Sequence, residues 1–124
     1  MPVTAKQLIE AANAVVPKIS GQEAQDLVAK GALLVDLRDG TEIAATGKAV
    51  GALHVPRGLL EFKADPTSPA ADKNFSTDKT VILYCASGGR AALAGKLLRD
   101  MGYAKVYNLG GLKDWIDVGG KVEK

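Results

Sequence analysis

The sequence is poor in the residues that build disulfide frameworks, Cys-rich metal sites and membrane spans. Its 124 residues include one cysteine, which excludes an internal disulfide and a Cys-rich metal site. No apolar run approaches the roughly 20 residues that cross a bilayer. Residues 1–10 lack the basic start and apolar stretch of a signal peptide, and a free thiol fits a reducing compartment. We therefore expect a cytoplasmic protein without a membrane partner, unless a targeting segment has been removed from it.

A strong excess of one charge is also absent. The 16 basic and 14 acidic residues give a net charge of +2, and this small excess offers little support for nucleic-acid binding. We therefore expect no nucleic-acid partner. Apolar residues make up 47% and charged residues 24%, a mixture that is ordinary for a globular protein. The length fits one compact domain over residues 1–124.

The sequence does contain an alternation of strand and helix patterns. Short apolar runs predict strands at residues 32–37, 52–55, 80–84 and 105–109, with a brief extended segment at 18–20. Helical patterns, two of them opened by capping boxes, lie at residues 4–14, 21–31, 42–45, 59–64, 90–101 and 112–118. This alternation predicts an α/β fold with a central, mainly parallel five-stranded sheet and helices on both faces.

The lone cysteine stands where a strand pattern gives way to a helix pattern. Cys85 ends an apolar run, and Gly88 and Gly89 precede Arg90 and the helix. A tight loop in this position directs backbone N–H groups and the positive end of the helix towards one point. That environment favours a thiolate and binds anions. We therefore predict a nucleophilic Cys85, although a lone cysteine is more often a small buried hydrophobe.

Two further strand ends are expected beside Cys85, because ligands of an open parallel sheet bind beyond the carboxyl ends of its strands. One strand end carries Arg38, and the other carries His54 and Arg57. Arg57 is either a second positive charge at the mouth of the pocket or a solvated surface arginine. His54 is either a dyad partner of the cysteine or a hydrogen-bonded structural residue.

Three carboxylates lie close together in the sequence, at Asp36, Asp39 and Glu42. Arg38 lies among them and no histidine accompanies them, so we expect no metal site. We expect Asp36 or Glu42 to pair with Arg38 and to hold the strand end in place.

Two side chains of the cysteine loop have alternative roles. Arg90 either binds a substrate oxyanion through two hydrogen bonds or caps loop carbonyls. Ser87 either donates a hydrogen bond to the group bound in the loop or simply suits a turn.

Residues 85–90, with the sequence CASGGR, resemble the six-residue active-site loop of the rhodanese-like sulfurtransferases. Three other segments resemble patterns of the same family, and they occur in the family's order. These segments are LLVDLR at 33–38 with Glu42, GALHVP at 51–56, and Gly110-Gly111 with Trp115 and Gly119. The resemblance covers residues 17–123, the core of the expected domain. One departure is Lys48, where the family often has histidine.

The resemblance implies a fold of the rhodanese-like class and a sulfurtransferase mechanism. The thiolate of Cys85 would attack the sulfane sulfur of a thiosulfate-like donor anion, and a thiol, a protein or cyanide would accept the sulfur from the resulting persulfide. No metal or organic cofactor is implied. The donor anion would be held by the remaining loop residues, which are Ala86, Ser87, Gly88, Gly89 and Arg90.

Two other functions are compatible with this loop. A cysteine-loop phosphatase or arsenate reductase would use a Cys-x5-Arg loop, whereas Cys85 and Arg90 enclose four residues. The shorter loop suits a sulfane sulfur better than a phosphate surrounded by oxygens. A persulfide carrier or redox-sensing interaction domain would keep the same loop without free turnover.

Overall fold

The computed structural model describes residues 2–124 and is built around parallel strands. The strands are β1 (Leu33–Asp36), β2 (Lys48–Ala49), β3 (Leu53–His54), β4 (Thr80–Cys85), β5 (Lys105–Gly111) and β6 (Val122–Glu123). Four of them form the central sheet in the order β3-β1-β4-β5, and every neighbouring pair is parallel. The other two, β2 and β6, form a separate antiparallel pair.

The prediction of five strands in the central sheet was wrong by one strand. The extended segment at 18–20 makes a single parallel bridge, between Lys18 and Asn108. Ile19 donates its N–H to the Asn108 carbonyl at 3.0 Å, and the Asn108 N–H donates to the Pro17 carbonyl at 2.9 Å. The pairing stops there because Pro17 has no N–H and Ser20 already caps the next helix.

Six α-helices connect and cover the strands. They are α1 (Ala5–Asn13), α2 (Gly21–Ala29), α3 (Gly40–Thr46), α4 (Leu60–Ala64), α5 (Gly89–Asp100) and α6 (Leu112–Ile116), with a short 3₁₀ turn at Arg57–Leu59. The predicted capping boxes are present at Thr4 and Ser20, whose side chains accept from the N–H groups of Gln7 and Glu23. No helix within residues 2–124 is long and apolar enough to cross a membrane.

The hydrophobic core has two layers, one on each face of the sheet. Alternate residues of β4 point to opposite faces, so Val81 and Leu83 pack with α4 and α5, whereas Ile82 and Tyr84 pack with α2 and α6. All four side chains are fully buried. Helices therefore cover both faces, as predicted, and the α/β fold class is confirmed.

The carboxyl ends of β1, β3 and β4 meet at one edge. Leu37 donates its N–H to the Tyr84 carbonyl at 3.0 Å, and Arg57 donates its N–H to the Leu37 carbonyl at 3.1 Å. These bonds place the residues that follow the three strands side by side, next to Cys85 at the end of β4.

Candidate active site

Cys85 is the last residue of β4, and its side chain lies under the loop that follows. The residue is 1% exposed. The backbone N–H of Gly88 donates to its Sγ at 3.0 Å. A donor aimed at sulfur stabilises the thiolate more than the neutral thiol, because the acceptor carries the charge. The loop therefore presents a backbone amide to the sulfur, as the sequence predicted.

The loop folds tightly because Gly88 adopts a left-handed backbone conformation. Its φ is +101°, which a residue with a Cβ rarely adopts. Gly88 is the N-cap of α5, and its carbonyl accepts from the N–H of Ala92 at 2.9 Å. The first turn of this 12-residue helix thus begins at Gly89, four residues after Cys85, and its positive end faces the loop.

Strand β5 holds the loop from the other side. The Asn108 side chain donates through Nδ2 to the Gly88 carbonyl at 3.1 Å and accepts through Oδ1 from the Gly110 N–H at 2.8 Å. Gly111 passes so close that a Cβ there would lie 2.3 Å from the Ala86 carbonyl oxygen. The loop conformation therefore depends on a buried amide and on a glycine in the neighbouring strand.

Arg90 is bound to a carboxylate of α3 through both of its terminal nitrogens. Nη1 and Nη2 lie 2.8 and 2.9 Å from the two Glu42 carboxylate oxygens. The Arg90 hydrogen bonds, together with the Asp39 N–H, lower the pKa of Glu42 to about 2, and the Glu42 carboxylate raises the pKa of Arg90. Arg90 thus ties the start of α5 to α3, and its guanidinium is not free to clamp a donor anion in this conformation.

Arg38 belongs to a separate, buried network. Its Nη2 lies 2.8 Å from the Asp36 carboxylate and 2.6 Å from the Gly47 carbonyl, so the expected pair of Arg38 with Asp36 is present. The Tyr84 hydroxyl donates to Asp36 at 2.6 Å and accepts from the Ala49 N–H at 3.0 Å. Burial, and then the bond to Asp36, raise the pKa of Tyr84 above its ordinary value. This network supports the strand ends beneath the loop.

The other two predicted site residues have local partners. The Nε2 atom of His54 lies 2.7 Å from the Arg38 carbonyl oxygen, so His54 is the hydrogen-bonded structural residue of the two alternatives. Within residues 2–124, no hydrogen bond joins His54 to Cys85 as a dyad would require. Arg57 pairs with Glu61, one turn further along the chain, at 3.0 Å. Neither guanidinium from the two neighbouring strand ends reaches the sulfur by a hydrogen bond.

Clefts lie on two sides of the cysteine loop. One, of about 300 Å³, is lined by Ser87, Gly88 and Gly89 of the loop and by residues of α1 and its C-terminal connection. The other, of about 330 Å³, is lined by Ala86 together with Arg38 and Leu112. Ala86 and Ser87 are both exposed at the tip of the loop. Within residues 2–124 no group of three or more His, Cys, Asp or Glu side chains is arranged to hold a metal ion.

Asn108 is a site residue that the sequence reasoning missed. The one available signal is an amide within the otherwise apolar run of β5, directly before Leu109 and the two glycines. A buried amide needs hydrogen-bond partners, and here those partners are loop and strand backbone. Sequence could not specify that the loop was one of them.

The chain belongs to the rhodanese-like domain family, whose profile matches residues 20–117. It is similar to the thiosulfate sulfurtransferase PspE of Escherichia coli, with 41% identity over 52% of this chain and 56% of that protein. It is also similar to a sulfurtransferase of Allochromatium vinosum, with 37% identity over 67% of this chain and 70% of that protein. A third relative is the uncharacterised YqhL of Bacillus subtilis, 34% identical over 74% of this chain. The chain spans 64% of YqhL and 56% of PspE, less than two thirds of either length.

Solved structures share the fold closely. A protein of unknown function from Rhodopseudomonas palustris, described as a possible tyrosine phosphatase, has a TM-score of 0.86 and 38% identity, with 99% of both chains covered. The human single-domain sulfurtransferase TSTD1 has a TM-score of 0.70 and 31% identity over 82% of this chain and 96% of that one. The α/β architecture described above is therefore the rhodanese-like one.

Proposed function

We propose that this protein is a sulfurtransferase that moves sulfane sulfur from a thiosulfate-like donor to a thiophilic acceptor through a persulfide on Cys85. The single observation that carries the proposal is the Gly88 N–H aimed at Cys85 Sγ, at 3.0 Å. A backbone donor in this position stabilises negative charge on sulfur before, during and after transfer. The sulfurtransferase names of PspE, TSTD1 and the A. vinosum relative support the same reaction class.

In the first half-reaction the Cys85 thiolate attacks the outer sulfur of thiosulfate. The bond between the two sulfur atoms of thiosulfate breaks, its electron pair leaves with sulfite, and an S–S bond forms at Cys85. In the second half-reaction an acceptor thiolate or cyanide attacks the outer sulfur of the persulfide. The electron pair of the broken S–S bond then returns to Sγ, so the thiolate is regenerated without a metal or organic cofactor.

The other predicted residues support this chemistry from a distance. The loop from Ala86 to Gly89 supplies backbone groups and a tight turn, while Arg90 anchors the start of α5 to Glu42 at 2.8 Å. Asp36 and Arg38 hold the strand end below. Arg57 is proposed as a charge at the margin of the pocket, because it follows a neighbouring strand end and its side chain stays 29% exposed while paired with Glu61. The proposed domain is the whole chain, residues 1–124.

Mass spectrometry of the intact protein after thiosulfate treatment tests the proposal. We expect a gain of one sulfur atom, about 32 Da, and loss of that mass on addition of cyanide with formation of thiocyanate. Because the chain has one cysteine, Cys85→Ser is a complete control and should gain nothing. A wild-type protein that gains no sulfur from thiosulfate or from polysulfide would overturn the proposal.

A phosphatase is the second candidate, because the R. palustris structure is described as a possible tyrosine phosphatase. A phosphatase of the cysteine-loop kind needs an arginine free to bind phosphate oxygens. Both terminal nitrogens of Arg90 are instead bound to Glu42, and the loop is one residue shorter than Cys-x5-Arg. Hydrolysis of an aryl phosphate that is lost in Cys85→Ser, without persulfide formation, would favour the phosphatase.

A persulfide carrier or redox-sensing domain is the third candidate, and it is favoured by the burial of Cys85, at 1% exposure. Such a protein would gain the sulfur but turn over slowly with free acceptors. Stoichiometric loading with negligible steady-state formation of thiocyanate would favour delivery to a protein acceptor over free turnover.

A further inference from the structure

The cleft between α1 and the cysteine loop is the feature that the proposed function leaves unused. It has a volume of about 300 Å³. Ile9 and Asn13 come from α1, Lys18 comes from the segment that follows it, and Gly88 and Gly89 come from the loop. The family profile begins at residue 20, so three of these five residues lie outside the part that defines the family.

We propose that this cleft binds the sulfur acceptor, and that the acceptor is a small thiol that carries a carboxylate. The inference rests on the proposed sulfurtransferase function and names the substrate class of its second half-reaction. Lys18 would bind the carboxylate, and the carbon chain would lie on Ile9 and Val16.

The cleft has two kinds of wall. Ile9 and Val16 supply apolar surface, and Ile9 approaches the loop so closely that a Cβ on Gly89 would lie 3.5 Å from its Cδ1. The polar side is formed by Asn13, Ser87 and Asn108. Thiosulfate and cyanide have no hydrocarbon chain, so neither can bury apolar surface against this wall. A ligand with both a short carbon chain and polar groups fits such a lining.

Lys18 is the cation of the cleft. Among residues 2–124 no carboxylate forms an ion pair with it. Its Nζ lies beside Gly110, because a Cβ placed on Gly110 would be 3.2 Å from that nitrogen. The neighbouring carboxylate, Asp114, accepts from the Gly111 N–H at 2.9 Å. The ammonium group is thus available to a ligand carboxylate at the junction of the cleft with β5.

Gly88 connects the cleft to the sulfur. This residue lines the cleft, and its N–H donates to Cys85 Sγ at 3.0 Å. A ligand in the cleft therefore lies against the same peptide that contacts the sulfur. The acceptor thiolate attacks the outer persulfide sulfur, an S–S bond to the acceptor forms, and the bond to Sγ breaks with its electron pair returning to Cys85.

A comparison of matched acceptors tests the inference. Protein loaded with thiosulfate is mixed with 3-mercaptopropionate, with 3-mercaptopropionamide, which lacks the charge, or with cyanide. We expect half-saturation at about fivefold lower concentration for the carboxylate than for the amide, the upper range for an exposed ion pair. In Lys18→Gln that preference disappears, whereas cyanide transfer and persulfide loading do not change.

Two variants make the test specific. Lys6→Gln removes the same charge from α1 at a residue that does not line the cleft, so it should keep the fivefold preference. Lys18→Arg keeps the cation and should keep most of it. If wild-type protein does not form a persulfide, the proposed function fails. If the persulfide forms but the carboxylate preference is absent, or survives in Lys18→Gln, or is lost equally in Lys6→Gln, the acceptor site is wrong.

Discussion

The two arginine–carboxylate pairs near Cys85 are chemically alike but lie in different surroundings. The side chains of Arg38 and Asp36 are 5% and 0% exposed, whereas those of Arg90 and Glu42 are 36% and 32% exposed. The first pair lies beneath the sheet edge and bonds to Tyr84 and to backbone groups. The second pair lies at the surface and joins α5 to α3.

Because of this difference, the inner pair supports the fold, whereas the outer pair positions the cysteine loop. A buried charge that loses its partner is left uncompensated in a low dielectric, so the inner pair behaves as one structural unit. Water can replace a partner in the outer pair, so its loss costs little folding free energy. The outer pair nevertheless fixes the first turn of α5, on which the Gly88 amide depends. Stability and loop geometry are therefore expected to respond to different substitutions.

The largest expected effect comes from breaking the inner pair. Asp36→Asn keeps the shape of the side chain but leaves Arg38 without a counter-charge, and we expect the free energy of unfolding to fall by about 3–5 kcal/mol. Urea denaturation followed by circular dichroism measures this. Glu61→Gln removes the partner of the partly exposed Arg57 and should change stability by less than about 0.5 kcal/mol. A loss below about 1 kcal/mol in Asp36→Asn would remove the contrast between the pairs.

Loss of the neutral hydrogen bonds of Asn108 should lower the free energy of unfolding by an amount between those expected for the two ion pairs. Asn108→Ala leaves the Gly110 N–H without its acceptor and releases the Gly88 carbonyl from one of its two donors. We expect a loss of about 1–3 kcal/mol, together with faster alkylation of Cys85 by iodoacetamide as the loop loosens. Asn74→Ala, at an exposed loop residue, is the matched control for both measurements. Unchanged alkylation would show that Asn108 does not hold the loop.

The smallest effect is expected at the outer pair, and it depends on pH. Glu42→Gln should lower the free energy of unfolding by at most about 1 kcal/mol at pH 7, because solvent screens the pair. Its partners lower the pKa of Glu42 from 4.5 to about 2, so the ionised form stabilises the fold fully above pH 4.5. The difference between wild type and variant should shrink as pH falls from 4.5 towards 2. Urea titrations at several pH values check this, and a difference that grows in acid would contradict the assignment.

Local signals in the sequence predicted much of the fold. The capping boxes at Thr4 and Ser20 and the apolar run of β4 place their elements within a residue or two. The β2–β6 pair was not predicted, because two-residue strands have no periodicity and their partners, such as Lys48 and Glu123, are far apart in the chain. The fifth strand was wrongly predicted because the segment at 18–20 is also too short to show a period, and its single bridge to Asn108 does not make it a strand.

The site was predictable as far as its loop and not beyond it. The strand end, the glycines and the helix start placed Cys85 under a backbone donor. The partner of Arg90 was not predictable, because Glu42 lies 48 residues away and either of two carboxylates could have paired with Arg38. The folded sheet decides that Asp36 takes Arg38 and leaves Glu42 for Arg90. Asn108 likewise reaches the loop only through the alignment of β5 with β4.

The donor to Cys85 Sγ belongs to the main chain, and this limits what mutations can change at the site. Every amino acid except proline supplies an N–H at position 88, so no ordinary side-chain change deletes the donor itself. Other substitutions can only tilt it, because a residue with a Cβ is strained at the φ of +101° that Gly88 adopts. Variation in such a loop would thus change the angle of the amide and leave its chemical identity intact. Proline would delete the donor, but its ring fixes φ at about −65° and cannot adopt the +101° of Gly88. Removing the donor while keeping the backbone conformation would take an ester in place of the peptide bond between Ser87 and Gly88, which only chemical synthesis or an expanded genetic code can provide.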